Sequence, residues 1–257
     1  MKTGIIVQAR MGSARLPGKV MREFYDGRPM LGAQLTRLLK VRDHVPDVKI
    51  IVATSTESAD NLIVDFARSR TACFRGSEDD VLGRFYDAAR WFSLDTIVRI
   101  TADCPLVDPA EVVCGIVTFE AGGLDYLSNA QPDRFTVHGF DIEVFSYDLL
   151  TRAHFMARSG TEREHVTPFM FAPSTGARVG AGVFASSVRW QDFTGLAPQR
   201  CQCPGGPHPN LSVDTLEDFE LVKNIYAACV EKHGVGFSVQ DVYNHLAGAS
   251  VPVEAQG

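Results

Sequence analysis

The chain has 257 residues, 45% of them hydrophobic and 22% charged, and its 25 Lys and Arg against 31 Asp and Glu give a net charge of -6. That length suffices for one large α/β domain, and the ordinary globular balance excludes disordered, collagen-like and coiled-coil chains. The negative charge argues against wholesale nucleic-acid binding while leaving room for a local basic pocket, and no apolar run approaches the ~20 residues of a membrane span.

Strand and helix patterns alternate through the first half. Residues 3–9 predict a short apolar strand. The opening MKTGIIVQAR is too brief for a signal-peptide core, so a soluble, cytoplasmic chain is expected. Helical spacing of Leu31, Leu35, Leu38 and Leu39 predicts a helix over 30–39, followed by a strand at 49–54, a helix near 60–68 and a strand at 72–75. Residues 80–92 carry an apolar face of Val81, Leu82, Phe85, Ala88, Ala89 and Phe92, and a fourth strand at 96–100 runs into TADCP. This order implies an α/β fold with an open, mainly parallel sheet and helices on both faces. Far too few units are visible for a barrel. Beyond about residue 122 the rhythm changes. Strands are predicted at 125–129, 141–145 and 178–184, helices at 147–156 and 162–171, then a short strand at 211–213 and a long helix at 216–232. The Pro- and Gly-rich loop at 195–210 is expected to be mobile and the tail from 248 to fray.

Cys73, Cys104, Cys114 and Cys229 lie in apolar contexts and read as buried thiols. Cys201, Cys203 and His208 supply only three ligands where a structural zinc site wants four, so zinc is not expected. The Gly180-Ala181-Gly182 run nominally matches a dinucleotide fingerprint, but no helical pattern follows it.

The most informative stretch is the first loop, QARMGSARLPGK, which follows the first strand where open α/β sheets bind ligands. Arg10, Arg15 and Lys19 converge there, Gly12 and Gly18 free the backbone, and Ser13 adds a hydroxyl. That combination suits a polyphosphate. It is not a Walker loop, because Val20 stands where a magnesium-binding Ser or Thr would be. Asp103, at the end of the fourth strand, is a natural Mg2+ ligand, with a turn or cap as its plainer reading. Asp214 precedes the long C-terminal helix, and there a metal-ligand role competes with N-capping by Asp214 or Thr215. Asp141 and Glu143 alternate along the predicted strand and share one face of it, placed to bind acceptor hydroxyls, to assist the metal or to face water on an edge.

Six segments taken in order, IIVQARMGSARLPGKV, FRGSEDDVLGRF, VRITADCPLVDP, HGFDIEVF, EREHVTPF and SVDTLEDFELV, resemble the spore coat polysaccharide biosynthesis protein F family of cytidylyltransferases. That family is related to the acylneuraminate and 3-deoxy-manno-octulosonate cytidylyltransferases, and the resemblance spans roughly residues 3–226. It implies a nucleotide-diphospho-sugar transferase fold of GT-A/Rossmann-like type, with residues 1–247 as one nucleotidyltransferase domain and 131–173 as a dimerisation or acceptor subregion. It also implies that CTP and Mg2+ are bound, that an acidic acceptor attacks the α-phosphate, and that pyrophosphate leaves. Arg10, Arg15 and Lys19 would then hold the triphosphate, and Ala9, Gly12 and Ser13 would add loop contacts. Asp103 and Asp214 match the metal-binding carboxylates. Arg75, Gly76, Ser77, Asp80 and Arg84 fall where related enzymes contact the nucleotide, with a plain helix start capped by Ser77 as the alternative. Arg163 and His165 would bind the acceptor beside Asp141 and Glu143, His165 orienting it or acting as base; alternatively Arg163 and Glu164 form an ordinary surface pair and His165 is a half-buried residue. The run CQCPGGPHP departs from the family pattern. The implied partners are CTP, an acidic small molecule and a second copy of the chain, with no nucleic acid and no membrane. A nucleotide-sugar-dependent glycosyltransferase and a non-catalytic nucleotide-binding regulator are the rival readings. The former lacks its usual Asp-x-Asp motif, for which Asp141-x-Glu143 is the nearest substitute.

Overall fold

The computed structural model describes residues 1–131, 136–172, 175–181 and 210–249. The zinc reading, the mobile-loop reading up to residue 209, the fingerprint reading beyond Ala181 and the tail beyond 249 lie outside them.

Among the described residues, seven strands form the main sheet. They are β1 (Thr3–Gln8), β4 (Lys49–Ser55), β5 (Ala72–Gly76), β6 (Thr96–Thr101), β7 (Tyr126–Ser128), β8 (Glu143–Ser146) and β9 (Val179–Ala181), in spatial order β5-β4-β1-β6-β8-β7-β9. The first four run parallel, whereas β8 is antiparallel to both its neighbours. The sheet is therefore mainly parallel, and the carboxyl ends of β1 and β6 emerge side by side at one edge. A small ribbon of β2 (Glu23–Tyr25) and β3 (Arg28–Pro29) turns through Asp26 and Gly27, both at positive φ, the geometry a two-residue hairpin wants.

Alternation along the strands feeds two cores. Ile5, Val7, Ile50, Val52, Val98 and Ile100 pack with α1 (Met30–Leu38), α2 (Asn61–Arg68), α4 (Pro109–Gly122), α7 (Leu216–His233) and α8 (Val239–Ala249). Ile6, Ile51, Ala53, Ile97 and Phe145 face the other way, against α3 (Val81–Phe92) and α5 (Tyr147–Met156). Both faces are thus covered. No described helix is long and apolar enough to cross a membrane.

The caps explain where several helices begin. Asp80 accepts the Gly83 N–H at the start of α3, Asp108 accepts that of Ala110 before Pro109 in α4, and Ser146 accepts that of Leu149 in α5. Three sequence-based expectations change. The strand expected at 141–145 begins at Glu143, so Asp141 lies before it. The helix expected at 162–171 is α6 (Gly160–His165), because Pro168 disfavours helical backbone at the residue before it. Residues 211–213 join no sheet; Leu211 donates to the His138 carbonyl and Val213 to that of Asp103. Helix α4 is absent from the sequence reading. Its apolar residues Val112, Val113, Cys114, Ile116 and Phe119 are all buried and leave no clean amphipathic stripe to find. Cys104, Cys114 and Cys229 are buried as free thiols, and Cys73 is half-buried.

Candidate active site

The backbone puts the chemistry at the shared edge of β1 and β6. After β1 the chain leaves the sheet and closes a loop, with the Gly18 N–H donating to the Met11 carbonyl at 2.9 Å. Gly18 sits at φ +72, where a side chain is strained, and a Cβ there would lie 3.3 Å from Met11 Cε. On the neighbouring strand, the turn after β6 is pinned from below. The buried amide of Gln34 donates to the carbonyls of Thr101 and Cys104, each at 2.8 Å. The Val213 N–H then donates to the Asp103 carbonyl at 2.8 Å, bringing Asp214 beside Asp103 although 111 positions separate them in the chain.

Lys19 joins these segments. Its side chain is only 10% exposed, and Nζ lies 3.3 Å from Asp214 Oδ1, 3.7 Å from Asp103 Oδ2, and within hydrogen-bond distance of the Val213 carbonyl. Arg15, largely exposed, reaches Asp214 Oδ2 at 2.9 Å. These groups line a cleft of about 360 Å³ that also includes Ala9, Arg10, Gly12, Ser13 and His165 among its walls. Two carboxylates held near one cationic position suit a divalent ion that takes its remaining ligands from substrate phosphates and water, as Mg2+ commonly does. Among the described residues no cluster of three or more His, Cys, Asp or Glu could hold a metal by protein ligands alone, as that mode of binding allows. The N-cap of α7 is Thr215, which forms a capping box with Asp218. The carboxylate of Asp214 is therefore not the helix cap.

The remaining candidates fall elsewhere. Arg75 donates to the carbonyls of Ser55 and Glu57 and to Asn61 Oδ1, so its guanidinium braces residues 55–61. Gly76 is crowded by Arg84, whose Cγ would lie 2.9 Å from an added Cβ. Ser77 accepts from the Asp80 N–H, a local cap. Asp80 holds Arg163 in a paired contact, and Arg163 also donates to the His154 carbonyl. This commits Arg163 to α3 and α5 rather than to an acceptor carboxylate. Burial raises the Asp80 pKa, but the bonds from Arg163 and Gly83 outweigh it and hold the carboxyl below its usual range. Arg84 is fully buried, its Nε and Nη2 have no hydrogen-bond partner among the described residues, and burial followed by the charge of Arg10 lowers its pKa to about 10.

Glu143 is the clearest departure. It is 5% exposed and enclosed by Arg99, the Tyr126 hydroxyl (2.6 Å) and the Thr167 hydroxyl (2.6 Å), so it does not share a solvent face with Asp141. Asp141 is half-buried and acts on Cys104, whose thiol is pushed well up by burial, then by Asp103 and Asp141. The network around Glu143 supports a strained corner. The Thr167 N–H donates to the His165 carbonyl at 2.8 Å, and Val166 between them stands at φ +70, a positive-φ γ-turn that is costly for a β-branched residue. The corner buries Val166 completely and leaves exposed His165 on the cleft wall. Thr167→Val keeps shape but leaves the buried carboxylate a donor short, so we expect a loss of about 1–3 kcal/mol. In a chain of this size that lowers Tm by roughly 2–4 °C per kcal/mol, readable by thermal denaturation. An unchanged Tm would show that the corner stands without this bond.

The family model for cytidylyltransferase matches residues 4–169. The chain belongs to the cytidylyltransferase family. It is 40% identical over 222 residues to an uncharacterized protein of Methanocaldococcus jannaschii, covering 86% of this chain and 82% of that one. The spore coat polysaccharide biosynthesis protein SpsF of Bacillus subtilis is 31% identical, over 91% of this chain and 90% of its own. The solved structure of a cytidylyltransferase from Leptospira borgpetersenii superposes with a TM-score of 0.78 at 30% identity, covering 97% and 95% of the two chains. Within the cytidylyltransferase frame, sequence reasoning missed Gln34, which holds the Asp103 turn, and Gln8 and Thr101 on the cleft wall. Gln34 was findable as a polar residue among the apolar positions of α1, directly beside Leu35.

Proposed function

We propose that the protein transfers CMP from CTP to an acidic sugar or a similar acidic acceptor, releasing pyrophosphate, in the assembly of a surface glycan or related product. The observation that carries this is the gathering of Lys19, Arg15, Asp103 and Asp214 at one mouth, beside the loop of Arg10, Gly12 and Ser13. A free triphosphate carried with a divalent cation suits three basic side chains set beside two carboxylates. Arg10, Arg15 and Lys19 neutralise phosphate oxygens, and the loop backbone supplies N–H donors. Asp103 and Asp214 would hold Mg2+, which supplies charge stabilisation at the α-phosphate. His165 orients the acceptor or takes its proton. Catalysis rests on positioning and electrostatics, with no covalent enzyme intermediate. The resemblance of the chain to SpsF supports a glycan acceptor. Enclosure of Glu143 counts against the glycosyltransferase alternative, since Asp141-x-Glu143 then offers no open pair of carboxylates for a metal. The same reading keeps residues 1–247 as one domain in the cytoplasm and expects a homodimer through 131–173, which light scattering tests.

CTP with Mg2+ should raise Tm more than ATP, GTP or UTP. A ligand present at about 100 times its Kd and bound only by the folded chain adds roughly 2.7 kcal/mol. Pyrophosphate release with each of the four triphosphates, across a panel of acidic sugars, then identifies the acceptor. Equal shifts from all four would sink the cytidylyl assignment. A CTP-specific shift with no release from any acceptor would favour the regulator.

A further inference from the structure

Asp60 is an aspartate placed where a helix cap is expected, immediately before α2, yet its carboxylate makes no cap bond to that helix. The side chain turns inward and is 2% exposed. Its Oδ2 accepts from the Thr54 hydroxyl at 2.8 Å, the Ser55 N–H at 2.9 Å and the Ser55 hydroxyl at 2.6 Å, all at the carboxyl end of β4. Its Oδ1 accepts from a different segment, the Met11 N–H, at 2.7 Å. Burial opposes ionisation of this carboxyl, but the bonds from Ser55, Met11 and Thr54 prevail and lower its pKa, so it is charged at neutral pH.

Met11 is where the first loop is closed, since its carbonyl receives the Gly18 N–H. The same residue is thus the closing point of the loop and, through its N–H, the point at which the loop is fastened to the sheet. Gly12, Ser13 and Arg15 all lie within the ring so formed. An acidic acceptor is well suited to this duty. Every group facing the two oxygens has a hydrogen to give, and a carboxylate only accepts. Arg75 braces the other side of the same anchor by donating to the Ser55 and Glu57 carbonyls.

We propose that Asp60 is a positioning residue of the triphosphate subsite. Without touching the nucleotide, it sets through the Met11 N–H the geometry of the loop that cradles the phosphates. This rests on the nucleotide reading given above. Its consequence is selective: removing the anchor should weaken whatever contacts the loop, so the loss should grow with the number of phosphates on the ligand.

Asp60→Ala is the direct test, because it takes away the acceptor of the Met11 N–H. Thr54→Val is the control, since it removes a bond from the same buried carboxylate without touching Met11. Affinities for CTP and for CMP, both with Mg2+, are measured by calorimetry alongside Tm. Asp60→Ala should lose at least 10-fold in CTP affinity and change less than about 3-fold for CMP, whereas Thr54→Val should bind both like the wild type. Equal losses for CTP and CMP, or no loss for CTP in a folded Asp60→Ala, overturn the inference while the nucleotide reading stands. Absence of CTP binding by the wild-type protein overturns that reading and the inference with it. Should Asp60→Ala fail to fold, amide exchange of the nucleotide-free wild type decides. A Met11 N–H protected to the level of the β4 amides supports the anchor, and one exchanging at the rate of an open loop refutes it.

Discussion

Asp103→Asn and Asp214→Asn should each cut turnover by about 100-fold or more in a protein that still folds, equivalent to ~2.7 kcal/mol of lost transition-state electrostatics. Both side chains are partly open to solvent, at 32% and 27% exposure, so the amide is tolerated where the charge is lost. Lys19 keeps the Val213 carbonyl and the other carboxylate in either variant, so its ammonium is not stranded. The alternative role for Asp214 as a helix cap predicts near-normal activity, because Asn is itself a good cap. The structure removes that alternative by giving the cap to Thr215. Pyrophosphate release reports turnover, and Mn2+ binding in the presence of CTP gives a readout without it. Should Asp103→Asn turn over normally, the metal assignment falls at its strongest member.

Arg37→Met should be the most destabilising of the substitutions considered, by about 3–5 kcal/mol in urea denaturation. Arg37 is fully buried on α1. It donates to the carbonyls of Leu106 and Val107, just beyond the Asp103 turn, and to those of Val235 and Phe237, between α7 and α8. The guanidinium carbon Cζ lies 3.4 Å from the centroid of the Phe237 ring. One side chain therefore ties the segment after β6 to the C-terminal helices that follow Asp214. Burial lowers its pKa to about 10, against the charge of Asp108, so it remains ionised at neutral pH. Methionine fills much of the volume but leaves the carbonyls without donors, each a desolvation cost of about 1–3 kcal/mol. Lysine should rescue only part of the loss, since a single ammonium cannot reach both pairs of carbonyls as the planar fork does. A loss under about 1 kcal/mol would mean that water replaces the guanidinium and that α8 is not tied through this residue.

Much of the fold could be read from local pattern. The strand at 3–9, the helices at 80–92 and 147–156 and the long C-terminal helix all emerged within a residue or two, because each is amphipathic or uniformly apolar over its own length and bounded by capping residues. The basic, glycine-containing loop after β1 was legible for a related reason. Glycines, arginines and a lysine crowd into one short stretch directly after a strand, and their proximity in sequence is proximity in space. Chain order alone also placed Asp103 at a strand's carboxyl end.

What the sequence could not determine is how distant segments share their polar groups. Glu143 and Arg163 have the right chemistry to bind an acceptor, but the tertiary structure gives Glu143 to Arg99, Tyr126 and Thr167, and Arg163 to Asp80. Asp60 has the position of a helix cap and instead bonds Met11, 49 residues away. The physical reason is common to all three. A charge withdrawn wholly or partly from water must find partners, its side chain reaches only a few ångströms, and which groups stand within that reach depends on the packing of sheet and helices. Residue type states what a carboxylate can do, and only the folded chain decides whether it faces the cleft or a neighbouring hydroxyl.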